Sequence, residues 1–285
     1  MAQKIWLNGS LVDQENAKVS VLDHGLLYGD GVFEGIRVYS GKIFREKQHI
    51  DRLYNCAKYI RLDIKMSKEE MIDAMHKTVE ANGVTDGYIR LVASRGAGTL
   101  GLNPFHCPKP TVFIIAANIQ LYPEELYENG LAVVSSSYMR NPSQCVPPQV
   151  KSLNYLNNIL AKIEAIDNDV LEAIMYNSQG YVAEATGDNV FIVKDDIVCT
   201  PPVQAGSLNG ITRQVVLELA AQAGYKTAEK NLTRFDLYSS DEMFLTGTAA
   251  EVIGVVKIDG RTIGDGKPGA ITKDLRKRFY NCVNE

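Results

Sequence analysis

The chain has 285 residues, 45% hydrophobic and 22% charged, with a formal net charge of −4. That is the composition of an ordinary folded protein, long enough for one large or two moderate domains. Without a basic excess it excludes a surface built to hold nucleic acid or an anionic membrane, and no apolar run is long enough to span a bilayer. The five cysteines are scattered, odd in number and without a Cys-x-x-Cys pair, and His24, His49, His76 and His106 stand far apart. No metal site and no disulfide framework are expected, and the free thiols fit a reducing, cytoplasmic setting.

In chain order, Lys4 to Val12 reads as a hairpin turning at Asn8-Gly9, and Val19 to Leu22 as a further short strand. Phe33 to Tyr39 has strand character and turns back at Ser40-Gly41. His49 to Ile60 is helical, burying Ile50, Leu53, Ala57 and Ile60; Arg52 lies off that stripe, and pattern alone sends it to solvent. Ser67, followed three positions on by Glu70, opens a helix that runs to about Ala81 and stops at Asn82-Gly83. Gly87 to Ser94 is a strand on which Tyr88, Arg90 and Val92 share a face. An arginine there sits either at a sheet edge in water or against an anion. Thr111 to Ala117 is a buried strand. These elements predict an N-terminal domain over 1–118, a connector over 119–130 and a C-terminal domain over 131–285.

In the second half, an irregular stretch from Arg140 to Gln149 leads into Lys151 and then a helix with Tyr155, Leu156, Ile159, Leu160, Ile163 and Ile166 at three- and four-residue steps. Ala173 to Tyr176 and Tyr181 to Ala185 form a hairpin, and Val190 to Val193 pairs with Ile197 to Thr200. Gly210 opens a helix that buries Val215, Val216, Leu219, Ala220 and Ala223 and ends at Gly224; Glu242 to Leu245 is a strand entering Thr246-Gly247-Thr248-Ala249-Ala250.

Gly96-Ala97-Gly98-Thr99-Leu100-Gly101 matches the dinucleotide pattern, but Pro104 and Pro108 follow where that fingerprint needs a helix. It reads as a mobile loop over a cleft. A lysine where an extended segment meets a helix can be turned inward and become a nucleophilic amine, although most lysines are solvated. Gly210-Ile211-Thr212 offers helix N-terminal amides for a phosphate, or an ordinary threonine cap. Thr246 to Ala250 offers a second turn of small residues, and Glu184 a single carboxylate. A lysine, a carboxylate and phosphate-type turns are the parts that pyridoxal phosphate requires.

At these residues the chain resembles the fold-type IV pyridoxal-phosphate enzymes, and most closely the branched-chain-amino-acid aminotransferases. The likeness is carried by Tyr28-Gly29-Asp30-Gly31-Val32-Phe33-Glu34-Gly35-Ile36-Arg37, His49-Ile50-Asp51-Arg52-Leu53, Tyr88-Ile89-Arg90, Lys151-Ser152-Leu153-Asn154-Tyr155, Glu184-Ala185-Thr186-Gly187-Asp188-Asn189-Val190-Phe191, Gly210-Ile211-Thr212-Arg213 and Gly247-Thr248-Ala249-Ala250-Glu251. The resemblance implies an α+β fold with a smaller N-terminal α/β domain, a larger C-terminal domain built on a pseudo-barrel of strands and helices, and the cofactor in the cleft between them. It makes Lys151 the Schiff-base lysine and proton carrier, sets Glu184 against the pyridine nitrogen and Tyr155 near the phenolic oxygen, and gives the phosphate to Arg52, Ile211, Thr212 and Thr248. Tyr88, with the amides of Thr248 and Ala249, would receive the substrate α-carboxylate, and Arg90 the side-chain carboxylate of glutamate. Tyr28 and Phe33 would line the side-chain pocket, with Tyr122 in reach.

The implied reaction exchanges L-leucine, L-isoleucine or L-valine and 2-oxoglutarate for the branched 2-oxo acids and L-glutamate, in a homodimer or larger homo-oligomer. Lys151-Ser152-Leu153-Asn154-Tyr155 is one residue shorter than the form common in branched-chain enzymes and looks like that of D-amino-acid transaminases, whereas Tyr88-Ile89-Arg90 points back to the L-branched-chain reading. The alternatives are a D-amino-acid or amine transaminase, an aminodeoxychorismate lyase, and a non-enzymatic relative on the same fold.

Overall fold

A computed structural model describes residues 3–118 and 122–284. Among these, 3–118 together with 150–154 form one compact unit, and 122–149 with 155–284 form the other.

The first unit is a six-stranded sheet with two long helices. Strands β1 (Lys4–Leu7) and β2 (Ser10–Asp13) turn through Asn8 and Gly9 with φ of 48° and 104°, as the Asn-Gly pair predicts. Val19 to Leu22 forms no strand. A five-residue helix follows instead, α1 (His24–Tyr28), in which the Asp23 side chain accepts from the Gly25 amide and left-handed Gly29 closes the far end. It is too short for periodicity to reveal. Then come β3 (Gly31–Tyr39), β4 (Lys42–Ile43), α2 (Glu46–Tyr59), α3 (Lys68–Ala81), β5 (Gly87–Ser94) and β6 (Thr111–Ala117), in the sheet order β2-β1-β6-β5-β3-β4. The expected capping box opens α3, with Ser67 and Glu70 each accepting from the other's backbone amide.

Strand alternation then decides which residues meet the helices. Val32, Ile36, Val38, Ile89, Leu91, Val112 and Ile114 join Ile50, Leu53, Met71, Met75 and Val79 of α2 and α3 in one apolar core. The segment 150–154 belongs with this unit although the sequence division left it in the C-terminal domain. It runs antiparallel beside β3: Phe33 N donates to Lys151 O at 3.0 Å, and Leu153 N donates to Gly31 O at 3.0 Å.

The second unit begins with α4 (Glu124–Asn129) and β7 (Leu131–Ser135). Of the expected connector, 119–121 lie outside the described residues; the remainder carries α4, with Tyr122 buried in the core beside Leu131 and Val133. The unit continues through α5 (Leu156–Asp167), β8 (Glu172–Tyr176), β9 (Val182–Ala185), β10 (Asn189–Lys194), β11 (Ile197–Thr200), α6 (Ile211–Gln222), β12 (Lys226–Glu229), α7 (Arg234–Tyr238), β13 (Glu242–Gly247), β14 (Glu251–Ile258), β15 (Arg261–Thr262) and α8 (Ala270–Asn284). Its curled sheet has the order β12-β11-β10-β13-β14-β7-β8-β9, with β15 on β14.

The apolar stripe of α5 faces outward. Helix α5 buries its small side, Asn158, Ala161 and Ala165, while Leu156, Ile159, Ile163 and Ile166 are 46–67% exposed. The short side chains let α5 lie close to its neighbours. Periodicity had located the apolar stripe correctly but not which way it faces.

Candidate functional site

In the first unit, Lys151 has both backbone groups held. Its N–H donates to Cys56 Sγ at 3.3 Å, and its carbonyl accepts from Phe33 N. Its Nζ lies 4.4 Å from the centre of the Phe33 ring. Phe33 pairs with Val92, Gly35 with Arg90 and Arg37 with Tyr88 across β3 and β5, so these residues share the sheet face opposite the one covered by helices. The Arg90 guanidinium lies 4.7 Å from the Phe33 ring centre, and its Nη2 donates to Tyr88 Oη at 3.3 Å. Strand β5 is interior, between β3 and β6, so Arg90 is not at an edge. A Cβ on Gly35 would stand 1.8 Å from Tyr88 Oη; only glycine lets that hydroxyl lie across the strand. Tyr28 Oη donates to the Leu100 carbonyl, tying α1 to the loop after Gly96. That loop continues only into a single 3-10 turn at Pro104–His106, with no helix to hold a dinucleotide.

On the opposite face of β3 sits Glu34, completely buried. Its two carboxylate oxygens accept from Arg52 Nε and Nη2, both at 2.7 Å, and Oε2 also meets His49 Nδ1 at 2.8 Å. Burial opposes the charge, but the Arg52 charge and hydrogen bonds, with those of His49, outweigh it and hold the carboxyl down at about 2. Burial in turn pushes the His49 imidazole below its usual range. The expectation of a solvated Arg52 is therefore corrected: its guanidinium is folded onto Glu34, only 12% exposed.

In the second unit, Glu184 lies on β9, paired in register with Met175. It is buried rather than a lone solvated carboxylate. Arg140 Nε donates to its Oε1 at 2.7 Å, and the Leu208 amide donates to its Oε2 at 2.8 Å. Arg140 Nη1 continues to Asn141 Oδ1, which also accepts from Asn157 Nδ2. Sequence reasoning did not single out Arg140; its one signal is a cation in an otherwise irregular, proline-bearing run.

Helix α6 opens at Gly210 with no side-chain cap, and Ile211 and Thr212 are buried in its first turn. The N-cap residue is thus Gly210, and Thr212 is not an ordinary threonine cap. A Cβ on Gly210 would come 2.1 Å from Asn189 Oδ1, and Asn189 Nδ2 donates to the Leu208 carbonyl. Asn189 therefore fixes the approach to α6. Thr248 and Ala249 form the half-buried turn between β13 and β14. Gly247 leads into it where a Cβ would meet Asp188 Oδ1 at 1.8 Å. Ser207 Oγ and Thr246 Oγ1, beside these two turns in sequence, are buried without a hydrogen-bond partner. Tyr155 is the half-buried N-cap residue of α5. The donor set, an uncapped helix start with unsatisfied hydroxyls near a buried carboxylate's amide partner, suits a phosphate and a ring nitrogen. Among the described residues no group of His, Cys, Asp and Glu could hold a metal ion.

The comparisons define the class first. The profile of the family described as amino-transferase class IV matches residues 31–258, and the chain belongs to that family. Among relatives, it is 52% identical to the putative branched-chain-amino-acid aminotransferase of Methanocaldococcus jannaschii, over 97% of this chain and 95% of that one. The Escherichia coli branched-chain amino acid aminotransferase superposes with a TM-score of 0.96 at 36% identity, covering 99% of this chain and 95% of that one. The T.th. enzyme of the same name, solved with pyridoxamine 5′-phosphate, gives 0.96 at 41% identity, covering 100% and 95%. Its complex with N-(5′-phosphopyridoxyl)-L-glutamate gives 0.95 at 40%, with the same coverage.

Proposed function

We propose that this chain is a pyridoxal-phosphate-dependent transaminase that exchanges the amino group of L-leucine, L-isoleucine or L-valine with 2-oxoglutarate. The observation that carries the reading is a likeness running end to end to enzymes of that name, one of them solved with a phosphopyridoxyl-L-glutamate.

Bound pyridoxal phosphate supplies an electron sink that makes a substrate Cα–H acidic. Lys151 would hold the cofactor covalently through Nζ, and once released would carry the proton as a general base and acid. Fixing both backbone groups of Lys151 limits its freedom to the side chain, which favours one approach of Nζ. Glu184 would keep a proton on the ring nitrogen; the hydrogen bonds from Arg140 and the Leu208 amide fix where that carboxylate lies. Arg52, the amides of Ile211 and Thr248, and the Thr212 hydroxyl would bind the phosphate, and Tyr155 the phenolic oxygen. Tyr88, with the amides of Thr248 and Ala249, would take the substrate α-carboxylate. Arg90 would take the distal carboxylate of glutamate, while Phe33 and Tyr28 present apolar surface to a branched chain.

The exposed stripe of α5 supports assembly into a homodimer or larger homo-oligomer, since four aliphatic side chains on one outward face are costly in water. Among the described residues no helix is long and apolar enough to cross a membrane, in keeping with a cytoplasmic enzyme. Half-reactions test the chemistry: the pyridoxal form is mixed with L-leucine, then with D-alanine, and the cofactor absorbance followed. Conversion by L-leucine is expected. Conversion by D-alanine alone would transfer the assignment to a D-amino-acid transaminase, and pyruvate release from aminodeoxychorismate without an amino acceptor would transfer it to a lyase.

A further inference from the structure

Glu34 is a buried charge that the proposed chemistry leaves unused. On β3 it shares the parity of Val32, Ile36 and Val38, on the helix-covered face whose other strand residues are apolar. A carboxylate in that register is costly unless fully paired, and an apolar residue of similar size would often stabilise the core as well or better. Its presence therefore calls for a role beyond packing. The pairing supplies one. Both oxygens meet Arg52 through Nε and Nη2, a two-point fork that fixes the plane and the roll of the guanidinium as well as its distance. His49, one turn earlier on α2, holds Oε2 from the side. The fork engages one edge of the guanidinium and orients the rest.

We infer that Glu34 is a positioning residue for cofactor binding: its carboxylate, braced by His49, fixes the orientation in which Arg52 meets the phosphate group of the cofactor. The inference rests on the phosphate role proposed for Arg52. It separates two functions within one ion pair, Arg52 as the group that touches the ligand and Glu34 as the group that aims it. A lysine at 52 would keep the charge and lose the fork.

The test uses two ligands that differ only in the phosphate. Pyridoxal 5′-phosphate and pyridoxal are titrated against the full chain after removal of cofactor, for the wild type, Glu34→Gln, Arg52→Met and the double variant. Glu34→Gln is expected to weaken pyridoxal phosphate about tenfold or more while leaving pyridoxal unchanged, as loss of a supporting partner typically does. The double variant should match Arg52→Met, because Glu34 acts only through the guanidinium. Equal weakening of both ligands, or a double variant weaker than Arg52→Met in its preference for the phosphorylated ligand, would overturn the inference. Should Glu34→Gln fail to fold, the charge-neutral double variant still gives the deciding ratio. A wild type that binds both ligands equally removes the phosphate role of Arg52 and the inference with it. A wild type that binds neither removes the proposed function itself.

Discussion

Each unit contains one buried glutamate held by an arginine, and the two pairs are built in opposite senses. In the first unit, both oxygens of Glu34 close on Arg52, with His49 as a third donor, so three of the four acceptor positions are taken. In the second, Arg140 takes one oxygen of Glu184 through Nε alone, and the backbone amide of Leu208 takes the other. Each oxygen of a carboxylate has two lone pairs, so Glu184 keeps acceptor capacity in plane. The same ion-pair chemistry thus presents an arginine in one place and a carboxylate in the other. Under the roles proposed above, partner count more than residue type would separate the group that works from the group that supports.

The contrast can be broken by experiment. Glu184→Gln should lower the transamination rate by about 10²–10⁴-fold while cofactor still binds, because a neutral amide no longer holds a proton on the ring nitrogen; stopped-flow half-reactions and a cofactor titration on one sample check both. Loss of binding with an unchanged rate would make Glu184 the supporting member after all. Arg140→Met leaves Glu184 buried and uncompensated, and should cost about 3–5 kcal/mol in denaturant unfolding. A cost near zero would mean that the Leu208 amide is sufficient.

Acid sharpens the first pair. The carboxyl of Glu34 sits at about 2 when folded, against 4.5 for the ordinary group. The unfolded chain therefore binds the proton first. The stability from this pair is complete above about pH 4.5 and is lost as pH falls toward 2, a total of about 3 kcal/mol. Unfolding midpoints measured across that window should fall more steeply for the wild type than for Glu34→Gln/Arg52→Met. The smallest effect calibrates the rest: Ser67→Ala removes one side of the α3 capping box and should cost about 1 kcal/mol with cofactor affinity unchanged.

How much of this was legible depended on range. Signals that act over three or four residues read true, such as Asn8-Gly9 for the first hairpin, Ser67 with Glu70 for α3, and the abrupt opening of α6 at Gly210. Signals whose partner lies far along the chain did not. Arg52 was sent to solvent because it falls off the apolar stripe of α2, yet its partner on β3 had announced itself: Glu34 occupies an inward parity among valines and isoleucines, and an acid there needs a cation. Arg140 had no such announcement, since its partner sits 44 positions away in sequence. Helix α5 shows a different limit. Its period is correct, but a helix can bury either its small side or its large one, and what faces the large side lies outside a single chain's pattern.

The placement of Lys151 also bears on how the chain folds. The segment that carries it closes onto α2 across 95 positions of sequence, to reach Cys56, and completes a strand neighbour for β3. Long closures come late, because the entropy of joining distant points is lost before their contacts form. The pairing of β3 with β5 and the packing of α2 on β3 close shorter spans, and can therefore form while the lysine proposed to hold the cofactor is still missing. In refolding from denaturant, far-ultraviolet ellipticity should recover before the chain regains an amine that borohydride can fix to pyridoxal phosphate, so that reactivity reports the last step of construction.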